Sequence, residues 1–235
     1  MVSEQERLAE KIYRDRLTRL VGSTIRTVHG WLHMCRRPSI VVPDFQRPFV
    51  WSDDQTLDLL TSLLDGYPIG TFMTWDFRDR EPSDVVIGGV RLGRSTPRGS
   101  YLIDGQQRTG SLVRAFLGRR FAYDTTSHRV VVNAEPHSTI FPLSLAVRQG
   151  TPMQEWIKSA PVGGQYAAYS MLSLLDTPLF AVDCDSGWPL ERVLDAYRKI
   201  NTMGTRMSVE EIDAGVRRSM MNASRDEHRE NKEAK

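Results

Sequence analysis

The sequence predicts a mixed α/β or α+β domain with a helical C-terminal part. Three observations lead to this prediction. Short apolar, β-branched runs bounded by turn residues alternate with amphipathic stretches of helical length. Two capping boxes, Ser52–Gln55 and Ser208–Glu211, mark helix starts. The composition, 40% hydrophobic and 26% charged over 235 residues, is that of a domain that can bury its own core.

The predicted elements alternate along most of the chain. Helices are expected at residues 3–20, from 23 past 32, at 52–66, from 105 to 118, near 152–159 and 164–175, at 190–200 and from 208. Strands are expected at 40–42, 71–75, 85–87, 101–103, 121–123, 130–132 and 179–182, the fifth and sixth forming a hairpin. The helix from Ser23 is expected to turn four apolar side chains inward, Ile25, Val28, Trp31 and Leu32. Gly66 suits the C-terminal cap of the helix that Ser52 begins.

The composition also limits the classes of protein to consider. Cys35 and Cys184 lie far apart and belong to no Cys-x-x-Cys pair, so they are expected to be small buried side chains in a reducing compartment. No apolar run approaches the ~18 residues that a membrane span needs, and the first 20 residues have no signal-peptide core. A cytoplasmic location is therefore expected. A formal charge of +2 permits contact with nucleic acid but does not require it.

The segment from Tyr101 to Leu117 is the first candidate functional site. An apolar strand ends in Asp104-Gly105, and a helix starts with Gln106, Gln107 and Arg108. A helix N-terminus attracts anions, and a glycine lets a phosphate approach the backbone. An arginine in the first turn opposes the positive helix end unless an anion is bound there. The alternative is that Asp104 simply caps the helix and the polar residues after it are solvated. The chain has no Walker A loop.

The loop Pro43–Trp51 is the second candidate, because it carries three aromatic residues together with Gln46 and Arg47. Arg47 can clamp a phosphate, and an aromatic side chain can stack on a base. The alternative is that the aromatic residues only fix the loop to the core. We expect that simpler role for the aromatic residues and a ligand-binding role for Gln46 and Arg47.

A third and weaker candidate precedes the second capping box. Arg198 and Asn201 are three residues apart and share one helical face, so both can point toward a ligand. His29 and His33 lie one helical turn apart, but without a third ligand nearby they are interpreted as surface or packing residues.

Together these segments resemble the N-terminal domain of GmrSD-type, modification-dependent restriction enzymes, within the wider ParB/sulfiredoxin-like group. The resemblance spans roughly residues 23–220 and rests on four segments in the family's order: Phe45–Trp51, Tyr67–Gly70, Ile103–Arg108 and Arg198–Ser208. Three positions depart from the usual pattern: Phe45 replaces a tyrosine, Thr109-Gly110 follows Arg108 where bulkier residues are common, and Met207 replaces a leucine.

The resemblance implies an α+β fold with a ParB-like core over residues 23–222, in which a small mixed sheet is flanked by helices and followed by a helical C-terminal part. This core is expected between a helical extension at 1–22 and a charged, disordered tail at 223–235. It also implies binding and hydrolysis of a nucleoside triphosphate with Mg²⁺. Asp104, Gln106, Gln107 and Arg108 are the expected catalytic residues. The expected nucleotide-binding residues are Gln46, Arg47, Gly105, Thr109, Arg198 and Asn201, while the metal ligands stay open.

In this interpretation Arg47 and Arg108 meet the phosphate charge, Gln106 or Gln107 positions water, and Asp104 orients water or a metal. Domains of this family usually precede a His-Asn-His nuclease in defence against phage, and no such module surrounds the five histidines of this sequence. A nuclease subunit or domain is therefore an expected partner, as is DNA, including modified DNA. Two alternatives stay open: a non-catalytic module that binds DNA or senses modified DNA, and a subunit that is inert until its nuclease joins it.

Overall fold

The computed structural model describes residues 22–148, 151–184 and 187–202. It confirms the α+β class, since helices and mixed sheets alternate along the chain. The helices are α1 (Val28–Arg36), α2 (Asp53–Leu64), α3 (Gln106–Phe116), α4 (Leu143–Arg148), α5 (Thr151–Ser159), α6 (Val162–Leu172) and α7 (Leu190–Thr202), with a 3₁₀ turn at Ser173–Asp176. The strands are β1 (Gly22–Thr27), β2 (Ile40–Val41), β3 (Thr71–Phe77), β4 (Asp84–Ile87), β5 (Val90–Arg94), β6 (Gly99–Asp104), β7 (Phe121–Asp124), β8 (Arg129–Val132), β9 (Ile140–Pro142) and β10 (Pro178–Cys184).

A five-stranded mixed sheet, in the order β1-β10-β3-β6-β2, forms the centre of the fold. The β10–β3 and β2–β6 pairs are parallel, whereas β1–β10 and β3–β6 are antiparallel. Strands β4 and β5 form a separate hairpin, and β8-β7-β9 form a small antiparallel sheet. Strand β6, which ends at Asp104, lies between β3 and β2 and is therefore an interior strand of the main sheet.

The central sheet is covered on both faces. Successive strand residues point to opposite sides, so Phe72 and Leu102 join the main core with α1, α2 and α3. Their neighbours Met73 and Ile103 face a second cluster that includes Val193 of α7. Both cysteines are free and buried, as predicted. Burial raises the pKa of the Cys35 thiol to about 12 and that of Cys184 to about 11.

The helix predicted from Ser23 is wrong over its first five residues, which form the edge strand β1. Asp183 of β10 explains this, because its carboxylate accepts hydrogen bonds from Thr24 Oγ1 at 2.7 Å and from Arg26 Nη2 at 3.3 Å. Ile25 consequently points outward and is 69% exposed, whereas Val28, Trp31 and Leu32 of α1 are fully buried as predicted.

The start of α2 confirms the first capping box. Ser52 Oγ accepts from the Gln55 N–H, and the Gln55 side chain accepts from the Ser52 N–H. The helix ends before Gly66, whose φ of 76° is the left-handed conformation expected of a C-terminal glycine. The other predicted helices and strands of the described ranges are also present, with small differences in their ends.

The chain divides between Tyr197 and Arg198 into two compact units, residues 1–197 and 198–235. The predicted extension 1–22, apart from Gly22, and the predicted tail 223–235 lie outside the described residues, as does the capping box at 208–211. Within the ranges that the structure describes, no helix has the length and apolar content that a membrane crossing requires.

Candidate nucleotide-binding site

The junction between β6 and α3 turns at Gly105. This glycine is the N-cap of α3, has a φ of 90°, and provides no side-chain cap for the helix. A Cβ at this position would lie 2.5 Å from Cδ1 of Phe72, so only glycine fits without movement of the core. The first turn of α3, Gln106–Arg108, thus begins with backbone N–H groups that no side chain of the N-cap residue binds.

The alternative in which Asp104 caps α3 is wrong, because its carboxylate binds Arg108 instead. Arg108 Nη2 lies 2.8 Å from Asp104 Oδ2, and the two side chains are 19% and 30% exposed. Arg108 Nη1 donates to the carbonyl of Ile69 at 2.8 Å, and its guanidinium lies 4.9 Å from the centre of the Phe72 ring. Arg108 by itself would be unfavourable at the positive end of a helix. Asp104 neutralises its charge, and the contacts with Asp104, Ile69 and Phe72 fix its position.

Gly70 makes room for this arrangement. A Cβ on Gly70 would lie 2.5 Å from Arg108 Nη1, and the residue has a φ of 83°. Ile69, Gly70 and Phe72 are not among the predicted site residues. Only the family resemblance points to the Tyr67–Gly70 segment, and nothing local in it indicates that Ile69 contacts an arginine 39 residues further along the chain.

Gln107 does not face the surface. It is 9% exposed. Its Oε1 accepts from the N–H groups of Val50 and Trp51 at 2.9 and 3.2 Å, and its Nε2 donates to the Pro48 carbonyl at 3.1 Å. Both ends of the amide therefore hold the loop before α2 against α3.

Gln46 makes the reciprocal attachment of the same loop to the sheet. Its Nε2 donates to the carbonyls of Leu102 and Ile103 in β6, at 2.9 and 2.7 Å. Both donors of the amide nitrogen are thus used within the protein, although Gln46 also lines the cleft beside α3.

Thr109 lies on the buried face of α3. It is fully buried, and its hydroxyl accepts a hydrogen bond from the Trp31 indole at 3.2 Å. The structure therefore does not bring this side chain to the surface with Gln106 and Arg47.

Arg47 and Gln106 meet in a cleft of about 520 Å³, between the Val42–Phe49 loop and the turn of the β4–β5 hairpin. Gln106 Nε2 donates to the Arg47 carbonyl at 2.7 Å. The Arg47 side chain is exposed and makes no hydrogen bond or ion pair with the described part of the chain. Asp44 and Gly88 also line the cleft. Asp104 and Arg108 are not among the described residues that line it.

Arg198 is an exposed residue of α7, and Asn201 lies in the last turn of the same helix. Both belong to the second compact unit, whereas the β6–α3 junction belongs to the first. Their part in ligand binding stays a prediction.

The residues present fit a metal that arrives with a nucleotide better than a resident one. Among the described residues, no group of three histidine, cysteine, aspartate or glutamate side chains is placed to hold a metal ion. Mg²⁺ commonly binds through one or two carboxylates together with substrate phosphates. Asp104 offers one such carboxylate, since Arg108 occupies only its Oδ2.

Sequence similarity to known proteins gives the family of the chain. The model of the GmrSD restriction endonuclease N-terminal domain matches residues 30–213, which is most of the chain. The chain belongs to this family. This is the family that the sequence resemblance indicated.

A curated relative extends the comparison to an archaeon. An uncharacterized protein of Methanocaldococcus jannaschii is 30% identical over 125 residues, which cover 47% of this chain and 21% of that protein. The matched region therefore spans about a fifth of the length of this relative.

Proposed function

We propose that this chain is a nucleoside-triphosphate-binding and hydrolysing module of a DNA restriction system, built on a ParB-like core. One observation carries the proposal: α3 begins at Gly105 without a side-chain cap, and Gln106 and Arg47 stand beside this start in one cleft. The cleft of about 520 Å³ has the size of a small-molecule site, for which ~300–1,000 Å³ is usual.

The phosphates would lie against the first turn of α3. Its backbone N–H groups and the helix dipole favour an anion there. Arg47, which has no partner among the described residues, would supply the positive charge from the loop side. Arg108 stands outside the described wall of the cleft, bound to Ile69 and Asp104, so it would support the start of α3 from behind and would not contact the phosphates directly.

Gln106 is the better candidate for positioning water, because the amide of Gln107 is committed at both ends to the Pro48–Trp51 loop. Gln106 uses its Nε2 in a bond to the Arg47 carbonyl, so its Oε1 can accept a hydrogen bond from water. Hydrolysis would form a bond from the water oxygen to the γ-phosphorus and break the bond from that phosphorus to the bridging oxygen. The products are a nucleoside diphosphate and inorganic phosphate.

Mg²⁺ would enter with the nucleotide and neutralise phosphate charge. Asp104 is the residue that would hold it, through the oxygen that Arg108 does not bind. The cytoplasm is the proposed location. A nuclease subunit or domain is the proposed partner, because the family is named for a restriction endonuclease.

The proposal is tested by separating binding from turnover. Arg47→Ala should weaken binding of a fluorescent nucleoside triphosphate about 10- to 100-fold, the usual loss for one charged hydrogen bond. Gln106→Ala should leave the Kd nearly unchanged and lower turnover about 100-fold, as expected when a group acts mainly in the transition state. Arg129→Ala is the matched control, since Arg129 is an exposed arginine of the β7–β8 hairpin.

Two results would contradict the proposal. If Arg47→Ala and Arg129→Ala bind nucleotide equally well, the phosphates do not lie in this cleft. If the folded wild-type protein neither binds nor hydrolyses a nucleotide, the alternative of a non-catalytic DNA-binding or DNA-sensing module replaces it.

A further inference from the structure

A second cleft, of about 560 Å³, adjoins the proposed nucleotide cleft. Phe49, Gly88 and Gly89 line both clefts, so the two clefts meet at these residues. Arg114, Arg119 and Arg120 line only the second one, which we call the basic cleft. None of these three arginines takes part in the proposed nucleotide site.

The basic cleft concentrates positive charge. Asp53 receives two arginines: Arg114 Nη2 lies 2.6 Å from its Oδ1, and Arg120 Nη2 lies 2.6 Å from its Oδ2. One carboxylate thus faces two guanidinium groups. Arg119 is exposed and makes no hydrogen bond or ion pair with the described residues. These three arginines and one carboxylate together carry an excess of two positive charges.

Two of these arginines are held in place without a ligand. Arg114 is 16% exposed, donates to the Trp51 carbonyl at 3.2 Å and lies 5.3 Å from the centre of the Phe49 ring. Arg120 is 50% exposed and donates from Nε to Asn133 Oδ1 at 3.2 Å. Side chains that are already ordered lose little conformational entropy when an anion binds.

The remaining residues that line the basic cleft are compatible with a ligand that carries phosphate groups and aromatic bases. No atom lies within 4 Å of the position that a Cβ would take on Gly89, so a ligand backbone can approach closely on that side. Phe49 and Trp51 are the aromatic residues of the lining, and Val50 is 59% exposed. Guanidinium groups recognise phosphate through paired N–H donors, and aromatic side chains stack on bases.

We propose that the basic cleft binds the sugar–phosphate backbone of a nucleic acid strand, with Arg119 and Arg120 as its principal phosphate contacts. This inference goes beyond the proposed nucleotide site and rests on different residues. Arg114 acts mainly as a positioning residue, because it is largely buried against Phe49 and Asp53.

The test measures binding of a fluorescein-labelled single-stranded oligonucleotide by polarisation over a series of salt concentrations. The Arg119→Ala, Arg120→Ala double variant should lose affinity at low salt by about 10-fold or more. Its plot of log K against log salt should become shallower by about 1.4, since each lost phosphate contact removes ~0.7 for a single strand. Arg119→Lys, which keeps the charge, should retain the wild-type slope.

Arg98→Ala is the matched control, because Arg98 is exposed and follows the end of β5 that lies away from the Gly88–Gly89 turn. An unchanged salt slope in the double variant, with thermal unfolding preserved, would overturn the inference. Tighter binding of a polyglutamate peptide than of the oligonucleotide, with the same dependence on Arg119 and Arg120, would overturn nucleic acid as the occupant.

Nucleotide turnover, measured on the same double variant, keeps the two proposals distinguishable. The basic cleft can bind a strand in a protein that hydrolyses no nucleotide. Conversely, normal turnover in the double variant with lost oligonucleotide binding supports both proposals.

Discussion

Replacing Gln107 with methionine tests whether this residue is structural, as its contacts indicate. Gln107→Met preserves the length of the side chain but removes three hydrogen bonds, to Pro48, Val50 and Trp51. At a net contribution of ~1 kcal/mol per hydrogen bond, with some recovery by solvent, the free energy of unfolding should fall by about 2–3 kcal/mol. For a domain of this size the Tm should fall by about 4–12 °C.

Gln106→Met is the control at the neighbouring position. Gln106 makes a single exposed hydrogen bond, to the Arg47 carbonyl, so this change should cost no more than about 0.5 kcal/mol. Both variants are compared by denaturant unfolding followed by tryptophan fluorescence. If Gln107→Met is within about 0.5 kcal/mol of the wild type, or if the two variants are equally destabilised, the assignment of Gln107 to loop attachment is refuted.

Two further predictions concern the backbone at the site and the half-buried carboxylate of Asp124 at the end of β7. Gly105→Ala should lower the free energy of unfolding, measured with denaturant, by more than about 2 kcal/mol, because left-handed strain adds to a clash with Phe72. Gly66→Ala, at a glycine with a similar φ but open space around it, should lower it by only about 1 kcal/mol. Equal losses of stability in the two variants would show that the Phe72 contact is unimportant. Hydrogen bonds from Thr126, with Ser127 assisting, lower the pKa of Asp124 to about 2, so the stability that this carboxylate contributes is present at neutral pH and is lost as pH falls from about 3.8 toward 2. Thr126→Val should raise that pKa toward its ordinary value in a carboxyl NMR titration, and an unchanged titration curve would show that Thr126 does not lower it.

The elements that the sequence predicts well are those with local signals. The capping box at Ser52 and the glycine at Gly66 bound α2, and both depend only on residues within the helix or next to it. Strand β1 shows the limit of such signals. Its residues 23–27 continue an apolar spacing that suits a helix, and only pairing with the distant strand β10 makes them extended.

The strand–glycine–helix junction at Gly105 is predictable from the sequence, but the roles of the side chains around it depend on contacts far away in the chain. Gln107 and Gln46 have the character of ligand-binding amides, and both hold the Pro43–Trp51 loop, one to α3 and the other to β6. Thr109 is buried because it lies on the face of α3 that meets Trp31. No local pattern distinguishes an amide that binds a ligand from one that binds a loop.

The role of the Asp104–Arg108 pair also could not be predicted from local sequence. Their spacing of four residues across a helix start is compatible with a cap, a ligand clamp or an ion pair. The ion pair forms because Ile69 and Gly70 leave room for the guanidinium and provide a carbonyl for it. Those residues come from the segment before β3, in which local signals indicate only a turn.

The most direct test of the proposed function is phosphate release from GTP and ATP in the presence of Mg²⁺. The wild type is compared with Asp104→Ala and Arg108→Ala, with Arg129→Ala as a control and thermal unfolding as a check on folding. We predict turnover in the wild type and in Arg129→Ala, and its loss in both site variants while they remain folded. Turnover that is unaffected by Arg108→Ala, or no turnover by the folded wild type with either nucleotide, would contradict the proposed function.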